Sequence, residues 1–150
     1  MELSGNRVVF AQLFLKRAKA DLKSSEHLLF SKDYADSVYH AQQAAEKAAK
    51  AVLVLQNKFI RAHVLSGILT EALVSLLPEA EVKEIISLVS ELEQHWVRSK
   101  YPFIDGDVPW DPIREYRKSD AEKALGQAKQ VMKKMNILCL KLIKDGNNVR

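Results

Sequence analysis

Apolar and small residues recur at helical spacing along most of this chain. The clearest repeat advances in alternating steps of four and three, so its members lie on one face of a helix: Tyr34, Val38, Ala41, Ala45, Ala48, Val52 and Leu55. Alanine dominates the stretch and makes the predicted helix thin, so neighbouring helices can approach it closely. We therefore expect the central helix of a bundle here, with Glu46 and Lys50 paired one turn apart.

The same periodicity predicts four more helices, over residues 6–30, 64–77, 79–97 and 119–146. Only three residues separate the first helix from the second, so these two helices should be antiparallel neighbours. Asp33, the last residue of that turn, is a natural N-cap for the second helix.

Local signals mark where the later helices begin and end. Pro78 should end the third helix, because the residue before a proline avoids the helical region. Ser119 and Glu122 have the spacing of a capping box at the start of the last helix. Gly146 should supply the left-handed turn that closes it.

Residues 99–118 show no clear period and contain three of the four prolines and four of the eleven aromatic residues. Because the aromatic residues argue against disorder, we expect a loop folded back over the bundle or onto a partner. The predicted fold class is therefore all-α. It is an antiparallel up-down bundle of four to five helices with a long aromatic loop before the last helix. A β-sheet, or Ala45 and Ala48 facing water, would contradict this architecture.

Length and composition narrow the class of protein. A chain of 150 residues is expected to form a single domain, residues 1–150. No apolar run reaches the roughly 20 residues that a membrane span needs, and no signal-peptide pattern is present. Cys139 lies in an apolar helical stripe, so we expect core packing and a reduced, cytoplasmic setting.

The net charge of +4 is unevenly distributed. Residues 114–150 contain ten Lys and Arg against four Asp and Glu, whereas residues 1–113 are slightly acidic. A basic C-terminal helix can attract phosphate, and it can equally be an ordinary solvated helix face.

Metal and cofactor chemistry find little support. The four histidines, His27, His40, His63 and His95, have no pair spaced three or four apart, so a zinc site on a helix is not expected. The five glycines are scattered and form no phosphate loop, and Asp105-Gly106-Asp107 is better explained as a turn than as a calcium loop. We predict no metal and no cofactor. His63, just before the third helix, is placed to dock that helix onto the second.

The segment from Arg98 to Pro102 is the remaining candidate site. Arg98 can bind phosphate through two parallel hydrogen bonds, Lys100 adds charge, and Tyr101 offers a ring for stacking. The alternative is that Arg98 pairs with an acidic side chain while Tyr101 and Pro102 cover the end of the bundle.

Three motifs in order resemble the HEPN family (higher eukaryotes and prokaryotes nucleotide-binding domain). Residues 41–51, Ala-Gln-Gln-Ala-Ala-Glu-Lys-Ala-Ala-Lys-Ala after an Asp-Tyr turn, resemble its second helix. His63-x-Leu65 and the Arg-x-x-Tyr-Pro segment at Arg98 follow in the expected positions. The resemblance covers roughly residues 10–145.

This resemblance implies a compact helical bundle, commonly a homodimer, often encoded beside a small nucleotidyltransferase with which it forms a toxin–antitoxin pair. The amount of apolar surface on five helices also favours a homodimer. Possible ligands are a nucleotide or RNA, and the expected ligand-binding residues are Arg98, Lys100, Tyr101, Lys47 and Lys50.

Active members of the family are metal-independent RNA endonucleases in which Arg is followed, after four to six residues, by His. Here those positions hold Phe103, Ile104 and Asp105, and no histidine follows His95. The resemblance therefore implies a non-catalytic or weakly active module that binds a nucleotide or a nucleotidyltransferase. The alternative is an RNA endonuclease with an atypical site built from Arg98, Tyr101 and His95.

Overall fold

The computed structural model describes residues 4–148, and the side chains of residues 4–146. In chain order the elements are α1 Gly5–Phe30, α2 Tyr34–Leu55, α3 Ser66–Leu73, α4 Glu79–Glu93, α5 His95–Arg98, β1 Phe103–Asp105, β2 Val108–Trp110, α6 Pro112–Glu115 and α7 Lys118–Asn148. The predicted mostly helical bundle is confirmed. None of the helices within these residues has the length and apolar character needed to cross a membrane.

Helix α2 is the centre of the bundle and is buried on nearly every side. Its alanines are inaccessible to solvent, with Ala41, Ala44 and Ala48 each 0% exposed and Ala45 2% exposed. Helices α1 and α7 pack against it most extensively. The prediction of a thin, alanine-rich central helix is confirmed.

The main helices alternate in direction. Near the α1–α2 turn, Ser25 and Ser37 donate to each other's backbone carbonyls, each at 2.8 Å, which fixes α1 antiparallel to α2. Helix α4 is antiparallel to α7, because Glu91 pairs with Lys123 and Glu84 with Lys134. Helix α7 is also antiparallel to α1, so α2 and α7 run parallel and touch across the bundle, where small alanine side chains let them approach.

Two of the predicted helices are shorter than expected. Helix α3 ends at Leu73 instead of Leu77, and the chain turns tightly there, with Leu76 N–H donating to the Leu73 carbonyl at 2.9 Å. The fourth predicted helix ends at Glu93, and a turn at Gln94 separates it from the one-turn helix α5. The Glu93 carboxylate accepts hydrogen bonds from the N–H groups of Leu65 (2.5 Å) and Ser66 (2.9 Å), so it caps the start of α3.

The predicted ends of α7 are wrong. The helix begins at Lys118, and the carboxylate that accepts from the N-cap N–H is that of Asp120, 2.8 Å from Arg117 N. Glu122 instead pairs with Lys118 at 3.6 Å. Gly146 lies inside the helix, which continues to Asn148, so it does not form a left-handed turn. Asp33 occupies the N-cap position of α2 as predicted, but its side chain makes no capping hydrogen bond.

The predicted loop contains a small antiparallel β-hairpin and the short helix α6. Phe103 is paired with Trp110 and Asp105 with Val108. The connection is a two-residue turn, in which Gly106 has a φ of +63° that glycine adopts without strain. This two-stranded sheet corrects the expectation of an irregular loop. It lies outside the helical core, so the predicted bundle architecture stands.

Candidate functional site

Arg98 is the last residue of α5, and the hairpin folds back over it. Its guanidinium carbon lies 5.0 Å from the Trp110 ring centroid and 5.9 Å from that of Phe103. The Trp110 indole N–H donates to the Arg98 carbonyl at 2.8 Å, which ties the hairpin to α5. The Arg98 side chain remains 48% exposed. The aromatic rings therefore hold the guanidinium in place while leaving it open to a ligand.

The only carboxylate paired with Arg98 among the described residues is that of Asp105, at 4.0 Å. Both side chains are largely exposed, so the pair is weak and screened by water. A phosphate, which accepts two hydrogen bonds from a guanidinium, can displace such a partner. The structure thus contains parts of both arrangements that the sequence left open, because Arg98 has an acidic partner and also keeps donors that a phosphate can reach.

Strand β1 occupies the positions at which the family's catalytic histidine would be expected. Phe103 stacks on Trp110 with ring centroids 5.7 Å apart, and Asp105 pairs with Arg98. Ile104, between them, is 67% exposed. Phe103 and Asp105 position the guanidinium, and none of the three side chains carries a group that exchanges protons as an imidazole does near neutral pH.

His95 lies one helical turn before Arg98. Its Nδ1 atom is 2.8 Å from the Tyr116 hydroxyl. Burial lowers the pKa of His95 and raises the pKa of Tyr116 to about 12. The phenol therefore keeps its proton and can donate it to Nδ1, which leaves the proton of the neutral imidazole on Nε2.

A polar cavity of about 180 Å³ opens beside His95. The carboxylates of Glu91 and Asp120 and the ammonium of Lys123 line it. Sequence reasoning did not find Tyr116 as the partner of His95. The two residues are separated by 21 positions and meet only because the hairpin brings the chain back to α5.

Lys100 and Tyr101 lie on the solvent side of the next turn. The Lys100 ammonium is 5.2 Å from the Tyr39 ring centroid and 5.3 Å from that of Tyr101. Tyr39, and after it Tyr101, raises the pKa of Lys100, so this side chain is charged throughout the neutral range. Lys100 also borders an open cavity of about 310 Å³ between the start of α2 and the segment that follows α5.

Lys47 and Lys50 belong to buried polar networks on α2. Lys50 pairs with Glu46 at 3.0 Å, as predicted, and Glu46 is also 2.8 Å from His63 Nδ1. Lys47 donates to Asp21, a buried carboxylate of α1 that is also 3.0 Å from His40 Nδ1.

These two lysines are needed to balance buried carboxylates and are not grouped with Arg98. Lys100, near Arg98, touches α2 at Tyr39, and Lys47 is eight residues further along, about 12 Å at the helical rise.

His63 docks the segment before α3 onto α2, as the sequence predicted. Besides contacting Glu46, its ring stacks on Trp96, with centroids 4.1 Å apart and planes 16° apart. Within the described part of the chain, no cluster of three or more His, Cys, Asp or Glu has the geometry to hold a metal ion. Cys139 is buried, as expected, and burial raises the pKa of its thiol to about 12.

Comparisons with known proteins identify the family. The HEPN domain model matches residues 11–138. The protein named "Putative toxin MJ1304" of Methanocaldococcus jannaschii is 42% identical over 136 residues, covering 88% of this chain and 90% of that protein.

Two solved structures share the fold. TT1696 from Thermus thermophilus has a TM-score of 0.69 at 24% identity, covering 85% of this chain and 97% of that one. ST0689, an archaeal HEPN homologue, has a TM-score of 0.66 at 22% identity, covering 86% of this chain and 97% of that one. The family match spans the central helix, the Arg98 segment and most of α7, so this chain belongs to the HEPN domain family.

Proposed function

We propose that this protein is the HEPN component of a toxin–antitoxin-type pair. In this proposal it acts as a homodimeric module that binds a nucleotide through Arg98 and engages a small nucleotidyltransferase. It does not cleave RNA at the rate of family members with the complete motif. The name of the archaeal relative, a toxin candidate, supports the assignment to such a pair.

The observation that carries the proposal is the environment of Arg98. Its guanidinium is held by Trp110 and Phe103 and is half exposed, which suits recognition of a phosphate. Phe103, Ile104 and Asp105 replace the histidine that would move a proton during cleavage. Loss of a positioned acid–base group commonly costs a factor of about 10² to 10⁴ in rate. In this proposal the site therefore keeps the group that binds phosphate but lacks the histidine that would transfer a proton.

Lys100 and Tyr101 are the other ligand contacts in this proposal. Both lie within three residues of Arg98 and are exposed, so they can add charge and a stacking surface beside a phosphate bound at Arg98. Lys47 and Lys50 are not included, because their ion pairs with Asp21 and Glu46 would have to break to reach a ligand.

Exposed apolar side chains support the homodimer. Phe10, at 43%, and Leu13, at 53%, are exposed on α1, and the hairpin and α6 expose Ile104 (67%), Val108 (67%) and Ile113 (87%). They form two separate patches, one near the start of α1 and one around the hairpin and α6 beside residues 32–36, and exposed apolar patches often mark interfaces. Light scattering at micromolar concentration should give twice the mass of the chain, and a monomeric mass would contradict this part of the proposal.

Two assays on the purified protein test the binding function. Titration with ATP should show saturable binding that Arg98→Ala weakens at least tenfold. Incubation with single-stranded RNA in a chelator should show no cleavage above that of Arg98→Ala. Cleavage that disappears in Arg98→Ala would overturn the non-catalytic assignment, and equal ATP binding by both proteins would overturn Arg98 as the ligand contact.

The second candidate function is metal-independent RNA cleavage that uses His95 as the base. The observation in its favour is that burial lowers the pKa of His95 and Tyr116 orients its ring, which suits proton abstraction at neutral pH. This function requires cleavage to disappear in both His95→Gln and Arg98→Ala. Cleavage that survives His95→Gln would exclude it.

A further inference from the structure

Among the described residues, one surface carries a row of lysines that mostly lack carboxylate partners. Along α1, Lys16, Lys19 and Lys23 are all exposed, and along α7, Lys133 and Lys144 are exposed. With Lys129 they define what we call the α1–α7 lysine groove. The acidic residue that interrupts this row is Glu26, which pairs with Lys129 at 3.0 Å.

The helical spacing and the direction of the helices place these lysines together. Lys16, Lys19, Lys23 and Glu26 advance in steps of three, four and three, so they share one face of α1. The Glu26–Lys129 pair fixes that face against α7. Helix α7 is antiparallel to α1, so Lys133 lies opposite the turn that holds Lys19 and Lys23.

Several lysines outside the groove, three of them on α7 itself, differ in this respect. Within the described part of the chain, Lys47, Lys50, Lys83, Lys118, Lys123 and Lys134 each have a carboxylate within 4.0 Å, whereas in the groove only Lys129 does.

Helix α4, which packs against α7, has the reverse charge. The sequence of α4 contains five glutamates and one lysine. The α1–α7 side therefore carries positive charge that carboxylates do not neutralise, and a polyanion would be attracted to that side.

We propose that the α1–α7 lysine groove binds the sugar–phosphate backbone of a single-stranded nucleic acid. The row from Lys129 to Lys144 spans about 22 Å at the helical rise, which is long enough for several successive phosphates. Lysines on both sides of a groove can contact one charged strand from two directions. A flat membrane surface could not contact both sides of the groove in this way. Phe30, which is 90% exposed, continues the lysine face of α1 at one end of the groove and offers one ring for stacking. The remaining contacts come from lysines, so they read the backbone and not the bases.

This surface is separate from the Arg98 site, and the inference does not depend on the proposed nucleotide binding. The test is fluorescence anisotropy with labelled single-stranded oligouridylate and its DNA counterpart, each titrated at several salt concentrations. The variant K19Q/K23Q/K133Q should bind at least tenfold more weakly at low salt. Its salt dependence should also be shallower by about 2 in the log–log slope, the value for three lost contacts to a single strand.

The control variant K58Q/R61Q/K83Q removes the same charge outside the groove, from the α2–α3 connection and from α4, and should bind nearly as the unaltered protein does. An equal loss in both variants would overturn the inference, because net charge alone would then explain binding. Loss in Arg98→Ala with no loss in K19Q/K23Q/K133Q would also overturn it and would place the nucleic acid at Arg98. ATP binding, measured on the same variants, reports separately on the proposed function.

The same variants test two other possible partners of a basic surface, a membrane and a second copy of this chain. Vesicles containing phosphatidylserine should not bind in a groove-dependent manner, and vesicle binding without oligonucleotide binding would overturn the inference in favour of a membrane surface. Light scattering should give the same mass for the unaltered protein and K19Q/K23Q/K133Q. A smaller mass for the variant, again without oligonucleotide binding, would show that the acidic α4 face of a second copy occupies the groove.

Discussion

The α2 core and the segment of residues 99–117, here called the flap, contain similar polar and apolar residues but bury them to different extents. In the core, Glu46 and Asp21 are almost fully buried, and several cations and amides compensate them. In the flap, Asp105 and its partner Arg98 are both about half exposed and interact weakly. The core depends on its polar groups for stability, whereas the flap leaves its polar groups free to exchange partners.

The apolar residues differ in the same way. Ala48, Val52 and Leu53 in α2 are 0% exposed, while Ile104 and Val108 in the hairpin are 67% exposed. Phe103 and Trp110 of the flap lie beside the Arg98 guanidinium, whereas Tyr116, 7% exposed, belongs to the core. The exposed part of the flap is therefore separate from the core, and substitutions there should be able to change ligand binding without changing stability.

The largest effect is expected when a buried carboxylate is removed from the core. Glu46→Ala leaves Lys50, whose side chain is 13% exposed, without its partner and removes the acceptor for His63. Breaking a buried ion pair from one side costs about 3–5 kcal/mol of unfolding free energy. Urea denaturation measures it. Glu79→Ala is the control, because Glu79 is also paired with a lysine but is 82% exposed, and it should change stability little.

If both glutamate variants lost the same small amount, the contrast between buried and exposed ion pairs would fail. Glu46→Gln sharpens the test, because it keeps the shape and some hydrogen bonds and removes only the charge. Its free energy of unfolding should lie between that of the unaltered protein and that of Glu46→Ala.

A smaller loss is expected from enlarging the thin helix. Ala48 is 0% exposed, so Ala48→Leu must push α2 away from a neighbour, at a cost of about 1–3 kcal/mol. The matched change Ala20→Leu adds the same atoms on the exposed side of α1 and should be nearly neutral. The difference in denaturation midpoint between the two variants measures how closely the core is packed around Ala48. Equal midpoints would mean that a leucine fits beside α2 without displacing a neighbouring helix.

Much of the core could be predicted from the sequence because its signal is local and repeated. The alternating steps of four and three in α2 are visible without knowing the fold, and so is the Glu46–Lys50 pair. The burial of Asp21 could not be found in this way. It is compensated by Lys47, 26 positions away, and only the register of α1 against α2 brings them together.

The flap was less predictable for a physical reason. Its strands are three residues long, too short for an alternating pattern to be recognised. Gly106-Asp107, the two central residues of the turn, is a known hairpin signal, and the sequence predicts a turn there. It did not predict the strands on either side, nor the contact between His95 and Tyr116, which depends on how the hairpin folds back.

A substitution in the flap should affect binding more than stability. Phe103→Ala removes a ring 5.9 Å from the Arg98 guanidinium carbon and leaves Trp110, which packs against the core, in place. Such cation–π contacts are worth about 0.5–1 kcal/mol at exposed sites, so we expect a small change in the denaturation midpoint and a several-fold weaker binding of ATP. Ile104→Ala, on the same hairpin and 67% exposed, should alter neither quantity. A midpoint loss as large as that of Ala48→Leu would make the flap part of the core.

The smallest effect is a dependence of stability on pH at the border between the two regions. Burial lowers the pKa of His95 from its ordinary value of 6.5, so the unfolded chain binds this proton more readily than the folded one. The stability contributed by neutral His95 is therefore complete above pH 6.5 and is lost as the pH falls toward the folded pKa. One proton limits this loss to about 1.4 kcal/mol per pH unit.

The measurement is the free energy of unfolding of the unaltered protein and of His95→Gln, followed from neutral to mildly acidic pH. The unaltered protein should lose more stability on acidification than His95→Gln does, since the variant lacks this proton. His27→Gln, an exposed histidine of α1, should follow the unaltered protein. Parallel curves of unfolding free energy against pH for the unaltered protein and His95→Gln would show that the flap does not shield His95 from water. The region around Arg98 would then be open to solvent at His95 as well as at the Arg98 side chain.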